Sequence, residues 1–185
     1  LKVPGIHNVH NALAAIAAAL ELKLPMDSVI KGIEDYIPGK MRLNIINCPN
    51  GWKVIDDVYN ASPQSMKAAL DVLKSISGGS RRVAVLADML EMGEWARDAH
   101  RDVGRAAAEA GVDVLVTVGK DAAYIAEGAR DAGMDKACIY SYFENDEAKS
   151  CLNKVLIKND CILVKGSRGM KMEQVVEYLK NTVVG

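Results

Sequence analysis

The sequence predicts an α/β protein, a Rossmann-like three-layer domain on a mostly parallel sheet, and two observations carry that expectation. Short apolar segments at 82–87, 113–118, 137–141 and 161–165 alternate with longer amphipathic segments at 95–110, 121–132, 144–158 and 172–182. Alternation of this kind marks consecutive β-α-β units. Strand candidates such as Val83-Ala84-Val85-Leu86 and Cys161-Ile162-Leu163-Val164 are apolar without interruption, as strands are when helices cover both faces of a parallel sheet.

Before this rhythm begins, the chain reads differently. Residues 8–22 form a helix pattern with Val9, Leu13, Ile16, Ala17 and Leu20 on one face and many alanines to support helicity. A second helix is predicted over 26–36, with Asp27 as its candidate cap and Val29, Ile30 and Ile33 as its apolar face. Pro38-Gly39 breaks the pattern and divides a helical segment, 1–38, from the Rossmann-like domain, 39–185. Residues 42–47 and 53–56 read as paired strands joined by Pro49-Asn50-Gly51. Then Val54-Ile55 climbs into Asp56-Asp57, and Ser62 caps a helix with Pro63 at its first position and Met66, Ala69, Leu70 and Leu73 on its inner face.

Composition excludes several classes. With 185 residues and a net charge of −1, there is room for one domain, or one plus part of another, and no electrostatic case for nucleic acid or an anionic membrane. No apolar run reaches the roughly 18 residues a spanning helix needs, and no signal peptide opens the chain. Cys48, Cys138, Cys151 and Cys161 are scattered without a C-x-x-C pair; they read as packed, reduced thiols of a cytoplasmic protein. Leu1-Lys2-Val3-Pro4-Gly5, with no initiator methionine, reads as the interior of a longer protein.

Five constellations offer chemistry. Asn8 and Asn11, three apart at a helix opening, present carboxamides that suit the N6/N7 edge of adenine; alternatively Asn8 caps the helix. Arg42 in Gly39-Lys40-Met41-Arg42 is either a bidentate phosphate ligand or a solvated turn residue. Asp56 and Asp57 end a strand, where ligands of open α/β sheets bind, and either accept from ribose hydroxyls or cap the turn that holds Tyr59 and Asn60. Asp88, Glu91 and Glu94 crowd the loop after 82–87, with His100 on the next helix; these carboxylates suit an ammonium group. Lys165-Gly166-Ser167-Arg168-Gly169 is a strand-to-helix turn suited to an anion, without Walker A spacing.

Taken in order, G-x-H-N-x-x-N-A-L-A-A, G-K-M-R, V-I-D-D-x-Y-N-A-x-P-x-S-M, V-L-x-D-M-L-E-M-G-E with its later histidine, and V-K-G-S-R-G-M resemble the ATP-dependent Mur ligases of peptidoglycan synthesis. The second acidic loop and the Y-N-A-x-P form look most like the branch that adds D-alanyl-D-alanine to UDP-MurNAc-tripeptide. The resemblance runs from about residue 4 to 182. It implies that 1–38 is the tail of a central ATP-binding domain and 39–185 a complete C-terminal domain. It further implies that Asn8 and Asn11 contact adenine, Arg42 the phosphates, and Asp57 with Asp56 the ribose. Tyr59 and Asn60 would lie beside nucleotide and dipeptide, and Asp88, Glu91, Lys165, Ser167 and Arg168 on the D-Ala-D-Ala side. ATP and Mg2+ are implied, with the P-loop, metal ligands and modified lysine in an earlier domain outside this chain, so that the chain alone is a monomer without turnover. Ala87 departs from the family, which usually has glycine there. Two other readings share features of the chain. A phosphoacceptor receiver domain would use Asp56/Asp57, Asp88 and Lys165, and folylpolyglutamate synthase-type ligases share the scaffold.

Overall fold

The structure, a computed structural model, describes residues 1–182. The chain divides into two compact units, one ending at Gly39 and one beginning at Lys40.

The first unit holds α1 (Ile6–Glu21) and α2 (Met26–Glu34). Helix α1 starts two residues before the expected position, after Gly5 at φ 98°, and no side chain caps it. Asn8 therefore lies inside the helix, and the capping expectation fails: its Nδ2 donates to the Pro4 carbonyl at 2.7 Å. Asp27 is no cap either, because Pro25 holds the position before α2 and Asp27 falls in its first turn. Two helices can bury little between them, here Ala12 and Val29, which line a shared cavity. The expected inner face of α1 is therefore largely open, with Leu13 57% and Leu20 48% exposed.

The second unit runs β1 (Asn44–Asn47), β2 (Lys53–Asp57), α3 (Pro63–Ile76), β3 (Arg82–Ala87), α4 (Ala96–Glu109), β4 (Val114–Val118) and α5 (Ala123–Asp131). It closes with β5 (Ile139–Tyr142), α6 (Asn145–Val155), β6 (Cys161–Lys165) and α7 (Glu173–Asn181). Among the described residues six strands form one sheet in the order β1-β2-β6-β3-β4-β5, in which only β1 is antiparallel. Alternate residues of each strand point to opposite faces. Ile55, Leu86 and Leu163 meet α3, α4 and α5 through Leu70, Val103 and Ile125. Val54, Val85 and Val164 meet α6 and α7 through Leu152, Val176 and Leu179. The continuous apolar strands are thus explained: both faces are roofed.

Local chemistry sets the boundaries. Ser62 accepts from the Ser65 N–H, and Ser65 Oγ accepts in return from the Ser62 N–H at 2.9 Å, a capping box that starts α3 with Pro63 at its first position. The strand expected from residue 42 begins only at Asn44, because Met41 (φ 64°) and Leu43 (φ 51°) are left-handed and cannot join a ladder. Helix α6 stops at Val155 instead of 158, since Leu156 is extended and the chain then turns through Asn159 at φ 68°. That turn is fastened by Asp160, 1% exposed, which receives Arg81 through both carboxylate oxygens at 2.9 and 2.7 Å.

Helices α4 and α5 cross with Gly104 against the Ile125 carbonyl and Gly128 against the Arg101 carbonyl, so that a Cβ at either position would strike backbone. Backbone cannot swing aside as a flexible side chain does. Gly104→Ala is expected to cost about 2–3 kcal/mol, the upper range for overpacking, read as a lowered urea midpoint with an unchanged m-value.

Candidate functional site

Strand β6 creates the site by its place in the sheet. The helices that follow its neighbours β2 and β3, α3 and α4, pack on one face, whereas α7, which follows β6, packs on the other. Chains that leave adjacent strands toward opposite faces open a crevice at the strands' carboxyl ends. Two such crevices flank β6.

In the first, Asp57 and Lys165 are register partners on β2 and β6 and share a face. Lys165, 2% exposed, donates from Nζ to Asp57 Oδ2 at 2.5 Å and to the Asn60 carbonyl at 3.0 Å. Asp57 Oδ1 accepts from the Leu43 N–H at 3.2 Å. A buried ion pair recovers its desolvation cost only when further hydrogen bonds support it; here two backbone groups do so, and the Asp57 carboxylate keeps acceptor sites to spare. The ammonium that sequence reasoning assigned to a substrate is thus directed at Asp57 and the Asn60 turn. Asn60 Oδ1 accepts from the Ala61 N–H at 2.8 Å, which closes that turn ahead of the Ser62 cap.

The left-handed pair around Arg42 gives it a fixed exit. Tyr59 N–H donates to the Met41 carbonyl at 3.1 Å, and the Arg42 guanidinium stacks 4.2 Å from the Tyr59 ring centroid. A cation over an aromatic face is oriented as well as attracted. Arg168, exposed on the β6 turn, sits 2.9 Å from Met41 Sδ and 3.6 Å from Glu173 Oε1. Arg42, Tyr59, Asp57, Asn60, Lys165 and Arg168 therefore gather at one place.

Asp56 does not join them. It points to the α7 face, where its Oδ1 is buried without a hydrogen-bond partner. Burial pushes its carboxyl above the ordinary value of 3.8, opposed by the Val58 N–H and by Lys180.

The second crevice is bordered by the loop after β3, whose Asp88 turns its carboxylate toward the end of β4: it is 6% exposed and accepts from the Ala122 N–H at 2.6 Å. Burial raises this carboxyl too, with the Ala122 N–H pulling the other way. Gly119, at φ 118°, makes room for that carboxylate, since a Cβ there would overlap it. Three successive amides of this loop are held by three elements: Asp88 N–H by the Val118 carbonyl at 3.2 Å, Met89 N–H by His100 Nε2 at 2.9 Å and Leu90 N–H by Ser167 Oγ at 2.9 Å. Ser167 also donates its own N–H to the Asp88 carbonyl at 3.0 Å. Glu91, left-handed at φ 63°, then projects outward. Ala87 finds room beside Gly166, where a Cβ would come within 2.7 Å of its methyl. Sequence reasoning missed Gly119 and Ala122; a glycine closing an apolar strand was the available signal.

In the first unit, Asn11 Nδ2 donates to Asn8 Oδ1 at 3.4 Å, so the two carboxamides adjoin. Among the described residues, no three His, Cys, Asp or Glu side chains come together as a metal site, so these residues by themselves do not fit Mg2+. Among the same residues, no helix is long and apolar enough to cross a membrane.

The position of Asp56 has a measurable consequence. With its folded pKa raised, the folded state binds the proton more tightly; the stability so gained is full below 3.8 and lost as pH rises through the folded value. Asp56→Asn removes a half-buried carboxylate with one unpartnered oxygen and is expected to raise the unfolding temperature at pH 7. Repeated at lower pH, the gain over wild type is expected to fade toward pH 3.8.

Residues 41–168 match the Mur ligase, glutamate ligase domain, family. The UDP-N-acetylmuramoyl-tripeptide–D-alanyl-D-alanine ligase of Bacillus subtilis is 37% identical over 179 residues, which cover 97% of this chain and 39% of the relative. A crystal structure of MurF from Acinetobacter baumannii superposes with a TM-score of 0.84 at 35% identity, over 96% of this chain and 38% of that one. MurF from Thermotoga maritima in complex with ADP shares the fold, with a TM-score of 0.79 at 22% identity, over 96% and 39% of the two chains. The chain thus spans about two-fifths of the length of the relatives it matches.

Proposed function

Because this chain belongs to the Mur ligase family, we propose that it supplies one side of the cleft of a cytoplasmic, ATP-dependent ligase that joins D-alanyl-D-alanine to UDP-MurNAc-tripeptide. On this reading residues 1–38 are the tail of a central ATP-binding domain and 39–185 the C-terminal domain. The P-loop and the residues that would hold Mg2+ lie outside the 185 residues. Sequence likeness to the D-alanyl-D-alanine ligase of Bacillus subtilis over nearly the whole chain supports the substrate class.

The observation that carries the reading is the pair of crevices flanking β6, one bearing Asp57, Arg42 and Tyr59, the other the held loop that ends in Glu91. The first suits a nucleotide. Arg42, steered by the Tyr59 ring, offers a fixed guanidinium to phosphate, and Asp57 offers a carboxylate to ribose hydroxyls. Asp57 is preferred to Asp56 for that role because Asp56 faces α7. Asn8 and Asn11 serve adenine, while Tyr59 and Asn60 border both nucleotide and dipeptide. The second crevice suits the dipeptide: Glu91 attracts its ammonium group, and Arg168, on the β6 turn that borders both crevices, its carboxylate. Asp88 and Ser167 set the walls of this crevice, and Lys165 those of the first, through the backbone groups they hold.

The reaction transfers the γ-phosphoryl of ATP to the tripeptide carboxylate. The dipeptide amine then attacks the acyl carbon, forms the amide and releases phosphate. Its demands on this chain are charge neutralisation at the phosphates and close placement of the amine. The complete ligase polypeptide, supplied with UDP-MurNAc-tripeptide and ATP, is expected to release ADP only when D-alanyl-D-alanine is added; the 185-residue chain alone is expected to release none. Arg42→Ala in the complete polypeptide is expected to lower kcat about 100-fold, the scale for removing one preorganised electrostatic donor. ADP release independent of dipeptide, or an Arg42→Ala enzyme with wild-type kcat, would count against the reading.

A further inference from the structure

We propose that His100 is a positioning residue for the amine substrate, acting through the Met89–Glu91 loop. The inference rests on the ligase reading above for its substrate and on the geometry alone for its contacts.

His100 is fully buried on α4. Its Nε2 lies 2.9 Å from the Met89 backbone nitrogen, and its Nδ1 lies 2.6 Å from the Ala96 carbonyl. A backbone N–H can only donate, so Nε2 accepts and the ring proton sits on Nδ1, donating to Ala96. The imidazole thus spans from the first turn of α4 to the start of the substrate-side loop, with one tautomer fixed by two backbone groups. It touches no exposed surface, and its effect on substrate runs through Met89.

The loop has reason to need such a tie. After Ala87 it leaves the sheet, and within four residues Glu91 must take a left-handed conformation at φ 63° that a non-glycine residue adopts only when neighbours impose it. Asp88 N–H is held by β4 and Leu90 N–H by Ser167 of the β6 turn. The Met89 bond is the middle one of the three, and it alone comes from α4. Leu90, 42% exposed, lies over Gly169, where a Cβ would meet its Cδ1 at 2.7 Å. Loosening Met89 therefore frees both the Glu91 carboxylate and the side of Leu90 that borders the Arg168 turn. That displaces the amine-binding wall and leaves the Arg42–Tyr59–Asp57 side untouched.

The test compares His100→Ala, which removes the acceptor, with His100→Gln, whose Oε1 reaches the position of Nε2 and restores one. In the 185-residue chain, His100→Ala is expected to speed Met89 amide exchange at least tenfold and His100→Gln to return it toward wild type. In the complete ligase, His100→Ala is expected to raise KM for D-alanyl-D-alanine about tenfold, the scale of one net hydrogen bond. The KM for ATP should stay within about twofold, and His100→Gln should recover most of the loss, which a general loss of folding would not produce. Equal rises in both KM values, no recovery in His100→Gln, or unchanged Met89 exchange would each overturn the proposal. A wild-type ligase with no turnover of this dipeptide would instead overturn the ligase reading, leaving His100 to be judged on Met89 exchange.

Discussion

The buried ion pair between Asp57 and Lys165 is the constraint on which the rest of the site depends. Its partners stand 108 residues apart in sequence and meet only because β6, last of the strands in chain order, inserts between β2 and β3. In a low-dielectric interior, either charge alone would be costly to keep. The pair therefore couples the final strand insertion to the first acidic turn. Through its spare capacity it also fixes two pieces of backbone, Leu43 before the sheet and Asn60 before α3. Arg42 and Tyr59 take their stacked arrangement from those two anchors. The crevice thus depends on the same strand that joins β2 to β3 in the sheet.

Buried and exposed polar groups divide the work along both crevices. Lys165, Asp88, His100 and Ser167 are all buried, and each is engaged with backbone. Arg42, Tyr59, Glu91 and Arg168 are exposed and stand at the tips of segments those buried groups secure. Dipoles held in advance in this way need not reorganise when charge develops beside them. Asp56 falls outside the scheme. It is a carboxylate carried on the opposite face, next to α7, at a cost to the folded state near neutral pH.

Much of the fold is legible in the sequence because its causes are local. Uninterrupted apolar strands record burial on both faces, and Ser62-Pro63 announces α3 through side-chain capping and a proline that lacks an N–H to lose. The start of α1 is not legible because backbone geometry at Gly5 begins it, with no capping side chain to show. The start of β1 is hidden because left-handed Met41 and Leu43 are imposed by contacts with the Tyr59 turn and Asp57. At the site, residue types are legible and partners are not. That Lys165 answers Asp57 follows from the β2–β6 register, and register between distant strands leaves no trace in local pattern. His100 is visible only as a lone histidine, because its acceptor role is defined by a backbone group on another element.

The contact between Ala87 and Gly166 bears on how such a cleft can vary. The ends of β3 and β6 approach so closely that one methyl fits between them and a second does not. The two positions therefore share one slot: glycine at 87 would remove the nearest obstacle to alanine at 166, and the Met172 side chain, 3.0 Å away, would have to give for the rest. The methyl of Ala87 fills that space, matched by the absence of a side chain on Gly166.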